Sequence, residues 1–147
     1  MIKRLFFYLH FSLYLVLYTE AKIPSGTHIS FPIGITRDDK PIPAWISVED
    51  LDINSTRKRI LIIAGMEGDK SSAILASQAL LSLGESGLTR DYSVSAILNA
   101  NPGGHPVPVF PPEGKAYNDK KNPAAIYLWR FIGIHGPDLV IDLRPGD

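Results

Sequence analysis

The chain has 147 residues, with 15 basic and 15 acidic side chains and a formal net charge of zero. That length suits one modest domain, and 45% hydrophobic with 20% charged residues is ordinary for a globular one. The absence of cysteine excludes disulfides, thiolate metal sites and lipid attachment at a thiol. No basic stretch is interleaved with aromatics, so nucleic acid is not an expected partner.

Residues 1–21 read as a secretory signal. Lys3 and Arg4 give a positive start, Leu5 to Tyr18 is apolar apart from His10 and Ser12, and Thr19-Glu20-Ala21 offers small residues at a cleavage site. The stretch is short for a membrane span, and an uncleaved anchor is the competing reading. The expected mature domain is 22–147, secreted or periplasmic, with no membrane contact after cleavage.

Ile29, Phe31, Ile33 and Ile35 recur at period two and predict a half-buried strand near 29–36. Arg37 to Pro41 is a polar turn. Ala44, Ile46 and Val48 predict a second strand over 43–48, and the pair forms an antiparallel hairpin at a sheet edge, where Pro41 and Pro43 are tolerated. Glu49 to Lys58 reads as a charged connector.

Ile60 to Ala64 is a continuous apolar run, the pattern of a strand buried on both faces. Gly65 and Gly68 make a tight turn, and Asp69 caps a helix over 70–84. Its buried side is expected to hold Ile74, Leu75, Ala79 and Leu81, with Gly84 and Gly87 ending it. Tyr92 to Leu98 predicts the next strand, and strand–helix–strand order implies a right-handed parallel crossover. Asn99 to Gly114 holds five prolines and three glycines, so it is a long loop with no helix or central strand. Asn122-Pro123 caps a helix over 123–135 with the stripe Ala125, Leu128, Trp129 and Ile132. Gly136-Pro137 stops it, and Leu139 to Leu143 reads as a buried strand. The expectation is an α/β fold: a mixed sheet with parallel core strands, an antiparallel edge hairpin and helices packed on it. In such folds sites lie at the carboxyl edge of the parallel strands, which puts Glu67, Asp69 and Lys70 near one.

Four stretches, IGITRDDKPIPAWIS, ILIIAGMEGDKSS, NANPGG and GPDLVIDLRPGD, occur here in a particular order. Together they resemble the first half of a zinc carboxypeptidase domain, in a wider group with murein peptide amidases and succinylglutamate desuccinylase-like hydrolases. The resemblance covers roughly Gly34 to Asp147 in pieces. It implies a zinc site in which a His-x-x-Glu pair follows the strand-turn and a His ends the later strand. Catalytic zinc takes three such ligands, keeps one position for water, and lowers the pKa of that water.

In this sequence the three ligand positions hold Glu67, Lys70 and Arg144. Glu67 is a metal donor; protonated Lys70 and Arg144 have no lone pair to give. Of the Asn-Arg pair that the resemblance implies for gripping a substrate carboxylate, only Asn101 is present. The general base and the second half of the sheet are expected beyond Asp147, so a truncated relative is expected. No catalytic residue, zinc or other cofactor is therefore expected, and Glu67, Lys70, Asn101 and Arg144 are the candidate residues for a peptide or carboxylate ligand.

Each candidate also has a plain structural reading. Glu67 sits at a helix amino end, where negative charge is favoured. Asp69 is a cap and Lys70 a solvated first-turn residue. Arg144 pairs with Asp142, Glu67 or Asp147, and Asn101-Pro102-Gly103 is a turn. His28, His105 and His135 show no paired metal spacing. Gly65-Met66-Glu67-Gly68 lacks the glycine spacing of a phosphate cradle, and Ser71 and Ser72 are not in a Gly-x-Ser-x-Gly elbow. Three functional readings stand: a non-catalytic, exported carboxypeptidase-like binding domain; an active zinc carboxypeptidase or amidase with unorthodox ligands; and a gene fragment without a function of its own.

Overall fold

The computed structural model describes residues 28–86, 91–104 and 120–145. The signal segment, Gly87, His105, most of the proline-rich loop and Asp147 lie outside the described residues. Five strands are formed: β1 (His28–Ile35), β2 (Pro41–Ser47), β3 (Lys58–Ala64), β4 (Tyr92–Ile97) and β5 (Leu139–Leu143). Two α-helices, α1 (Lys70–Glu85) and α2 (Pro123–His135), accompany them, with a short 3-10 turn at Val48–Leu51. The strands make one sheet in the order β1-β2-β4-β3-β5. β1–β2 and β2–β4 are antiparallel, whereas β3–β4 and β3–β5 are parallel.

β3 sits between β4 and β5, as its apolar run requires, and Leu61, Ile62, Ile63 and Ala64 are all buried. Its side chains alternate between two cores. Leu61 and Ile63 join Ile42, Ala44, Ile46, Ile97 and Leu128 under α2. Ile62 and Ala64 join Val94, Ala96, Ala76 and Leu80 under α1. The helices therefore cover opposite faces of the sheet. The chain moves from β3 to β4 through α1, then back across β3 to β5 through α2. Right-handed crossovers running in opposite directions must lie on opposite faces, so the topology follows from strand order and handedness.

Both predicted caps form. The Asp69 carboxylate accepts from Ser72 N at 2.8 Å, and Asn122 Oδ1 accepts from Ala125 N at 3.2 Å. Gly136 closes α2 in the left-handed conformation, and its N–H donates to the Ile132 carbonyl at 2.9 Å.

Four packing expectations are corrected. Pro41 belongs to β2 rather than to the turn. The buried side of α1 is Ser72, Ala76, Ser77 and Leu80, while Ile74 and Leu75 are 56% and 52% exposed. The Gly65 N–H donates to Ser72 Oγ at 2.9 Å, which turns the small residues of α1 towards the sheet. β5 is less buried than its apolar run predicts: among the described residues it pairs with β3 alone, and Leu139 stays half exposed. β1 is covered less than its alternation predicts. A bulge between Pro32 and Gly34 breaks its register, and Ile33 reaches the core while Ile29, Phe31 and Ile35 stay largely open.

Candidate functional site

The connection after β3 leaves towards α1 and the segment after β4 leads towards α2, so the two part to opposite faces. In open α/β sheets the crevice at such a switch point is where ligands bind. Here its two walls are Gly65–Asp69 and Asn99–Gly104, and they are tied closely. Ala100 N donates to the Ala64 carbonyl at 2.8 Å and Asn101 N to the Gly65 carbonyl at 3.0 Å. The Asn101 amide donates to the Met66 carbonyl at 3.1 Å. Gly68 has φ +75°, and a Cβ there would stand 2.7 Å from Gly104 Cα, so only glycine lets the two turns touch.

The candidate residues divide by exposure. Glu67 and Lys70 are exposed on the β3–α1 turn, while Met66 beside them is buried. Asn101 is only 2% exposed and acts as the tie just described. Arg144 follows β5; since Leu143 pairs with Ala64, it stands level with Gly65 on the neighbouring strand. Of the three partners its sequence allowed, Asp142 is the one it takes: Nε donates to Oδ2 at 2.9 Å. Glu67 has no hydrogen bond or ion pair among the described residues. Burial opposes ionisation of Asp69, but bonds from Ser72 and Ser71 outweigh it and hold its carboxyl below the usual range, which suits a cap. The hairpin tip adds charge to this edge. Lys40 Nζ donates to the Pro102 carbonyl at 3.3 Å, and Thr36, Arg37 and Asp38 line a small indentation with Asn101, Gly103 and Asn122. Their sequence reads as a polar turn, and nothing in its spacing marks the contact of the hairpin tip with the segment after β4.

The donor set does not fit zinc. Glu67 supplies one carboxylate, and Lys70 and Arg144 bring two cations where neutral or anionic ligands are needed. Among the described residues, no three His, Asp or Glu side chains are grouped so as to hold a metal ion.

A second polar cluster, at the opposite end of the sheet, was not visible in the sequence. Asp50, within the supposed connector, has a side chain only 2% exposed. Its carboxylate accepts from the hydroxyls of Ser93 and Ser95, the latter at 2.6 Å, and stands 3.2 Å from His135 Nε2. Arg59 Nε lies 3.8 Å away, and its guanidinium donates to the His135 carbonyl at 3.0 Å. Burial pushes the Asp50 carboxyl up, but His135, Ser93 and Ser95 outweigh it and lower its pKa from 3.8 to about 2. Serine, histidine and aspartate meet here, yet each serine is bonded to the aspartate rather than to the histidine, and all are buried. The arrangement anchors the carboxyl end of α2 instead of activating a nucleophile.

No protein-family model matches the sequence, and no curated protein matches it. Solved structures do. A metallo-carboxypeptidase from Burkholderia cenocepacia aligns at TM-score 0.62 and 14% identity, over 89% of this chain and 39% of its own. A Burkholderia mallei protein assigned as a carboxypeptidase aligns at TM-score 0.60 and 17% identity, over 80% and 34%. Bovine thrombin-activatable fibrinolysis inhibitor, solved with a tick carboxypeptidase inhibitor, aligns at TM-score 0.57 and 8% identity, over 89% and 58%. At these identities the likeness establishes the fold: a partial carboxypeptidase-like α/β domain. The chain spans well under half the length of the two Burkholderia proteins.

Proposed function

We propose that this chain is an exported, non-catalytic carboxypeptidase-like domain that binds a carboxylate-bearing ligand, such as a peptide terminus, at the carboxyl edge of its parallel strands. The observation that carries this reading is the set of side chains at the three metal-ligand positions. The resemblance puts one anion and two cations, Glu67, Lys70 and Arg144, where it calls for zinc ligands. Lys70 and Arg144 carry the sign of charge that a carboxylate needs and a divalent cation does not, with the charge of Arg144 shared with Asp142. A guanidinium grips a carboxylate with two parallel hydrogen bonds, and Arg144 keeps part of its fork beyond the bond to Asp142. Asn101 contributes by fixing the wall, through Met66, more than by touching the ligand.

The test is made on exported protein. Amino-terminal sequencing is expected to start at Lys22. Metal analysis is expected to show no stoichiometric zinc, and a peptide library is expected to keep its carboxyl-terminal residues. N-acetylated amino acids are expected to bind in the millimolar range, with loss of binding in Arg144→Gln. One tightly held zinc per chain, or release of terminal residues, makes this an active metallopeptidase and overturns the reading.

A further inference from the structure

The connector between β2 and β3 holds the triplet Asn54-Ser55-Thr56, the Asn-x-Ser/Thr pattern of an N-glycan acceptor. The other asparagines, Asn99, Asn101, Asn118 and Asn122, lack a hydroxyl residue two places on, so the sequence offers this acceptor alone. The structure sets the triplet on a short turn. The Asn54 N–H donates to Asp52 Oδ1 at 2.9 Å, and the Ser55 N–H donates to the Asp52 carbonyl at 3.0 Å. Asn54 and Thr56 are both exposed, and among the described residues neither side chain makes a hydrogen bond. The amide and the hydroxyl that such an acceptor must present are thus free of the fold. Leu51 and Ile53 beside them are 56% and 92% exposed.

We infer that Asn54 carries an N-linked oligosaccharide in the exported protein, an inference that rests on the export proposed above. The co-substrate is an oligosaccharide linked to a polyprenyl diphosphate, delivered by a transferase of the secretory route. The Asn54 amide nitrogen attacks the anomeric carbon of the first sugar. A C–N bond forms there as the bond from that carbon to the diphosphate oxygen breaks. Polyprenyl diphosphate leaves with the electron pair, the amide gives up one proton to a base of the transferase, and nothing is oxidised or reduced. Place in the fold supports the assignment. Asn54 precedes β3, whereas the candidate ligand site follows it, and seven strand residues span about 20 Å. A glycan at Asn54 leaves that site open. Bulky and solvated, it covers the apolar pair Leu51 and Ile53 instead.

The full chain is expressed in secretory eukaryotic cells, once from its own amino terminus and once behind an unrelated cleavable leader. Exported protein from both is expected to run as a heavier band that peptide-N-glycosidase collapses to the polypeptide mass. The same treatment is expected to leave aspartate at position 54, read in the peptide mass. Asn54→Gln and Thr56→Ala are expected to lose the heavier band completely, because no second acceptor exists, and Thr56→Ser is expected to keep it. These side chains are exposed and bond to nothing described, so the variants are expected to fold and be exported like wild type. Exported protein with Asn54 unmodified, behind either leader, overturns this inference and leaves the export reading standing. A heavier band that survives in Asn54→Gln overturns it as well. A chain that stays in the cytosol from its own amino terminus overturns the export reading and this inference with it.

Discussion

Asp50 shows how a single buried charge shapes this molecule. An isolated carboxylate is costly to bury, and this one is held by two hydroxyls and an imidazole, with a guanidinium close by. Its pKa falls from 3.8 to about 2, so the folded protein prefers the ionised form. The resulting stabilisation, about 2 kcal/mol, is complete above the unfolded value near pH 4 and disappears as pH drops through 2. We expect a denaturant midpoint that declines steeply between pH 4 and pH 2 in wild-type protein. In Asp50→Asn the decline should be shallower, and stability at pH 7 should be lower by about 3 kcal/mol because the amide cannot satisfy the same donors. Equal slopes in the two proteins would assign the acid sensitivity elsewhere. Asp138 adds to the same direction more weakly. The Arg59 N–H and the Lys58 ammonium hold its exposed carboxyl below the usual range.

At the scale of elements, docking of α2 on β1 depends on an absent side chain. A Cβ at Gly34 would lie 2.0 Å from Tyr127 Cγ, so the tyrosine ring rests directly on the glycine backbone just after the bulge. Gly34→Ala forces the ring out of place, and the expected cost is about 1–3 kcal/mol, the range for overpacking. In a Tyr127→Ala background the same change should cost much less, and urea melts of the four proteins measure that coupling. Additive effects would mean that the glycine matters for backbone freedom alone. Elements of this kind were only partly legible in the sequence. Caps and breakers are local, so Asp69, Asn122, Pro123 and Gly136 set both helices correctly. The buried face of α1 is ambiguous in the sequence, because Ser72, Ala76 and Leu80 repeat as regularly as the larger residues. A hydrogen bond from the preceding turn decided between them. The apolar run of β5 marks a strand but does not say how fully its side chains are covered. Asp50 was invisible because its partners lie 43 and 45 residues on along β4, and still further on in α2.

At the scale of the whole molecule, the question is whether the scaffold still gathers the three substituted positions. The fold keeps the parts that would do so: a central β3, a glycine turn, a helix capped by Asp69, and β5 in register so that Arg144 stands level with Gly65. Glu67, Lys70 and Arg144 are exposed, so replacing them should disturb folding little. The triple variant Glu67→His, Lys70→Glu, Arg144→His restores two imidazoles and a carboxylate, the donor types catalytic zinc takes. Lys70→Glu also puts a negative charge in the first turn of α1, where the helix dipole favours it. Asp142, released from Arg144, is placed to orient the new imidazole at 144, as carboxylates commonly do for metal-bound histidine. Zinc bound only to the folded state adds about 2.7 kcal/mol when its concentration is 100 times the dissociation constant. The expected outcome is a higher melting temperature in zinc than in chelator for the triple variant. Wild-type protein, and the variant that keeps Arg144, should show no such difference, and native mass spectrometry should count one zinc per triple-variant chain. A folded triple variant that ignores zinc would show that the three side chains do not converge, and the carboxylate site proposed at this edge would lose its geometric basis.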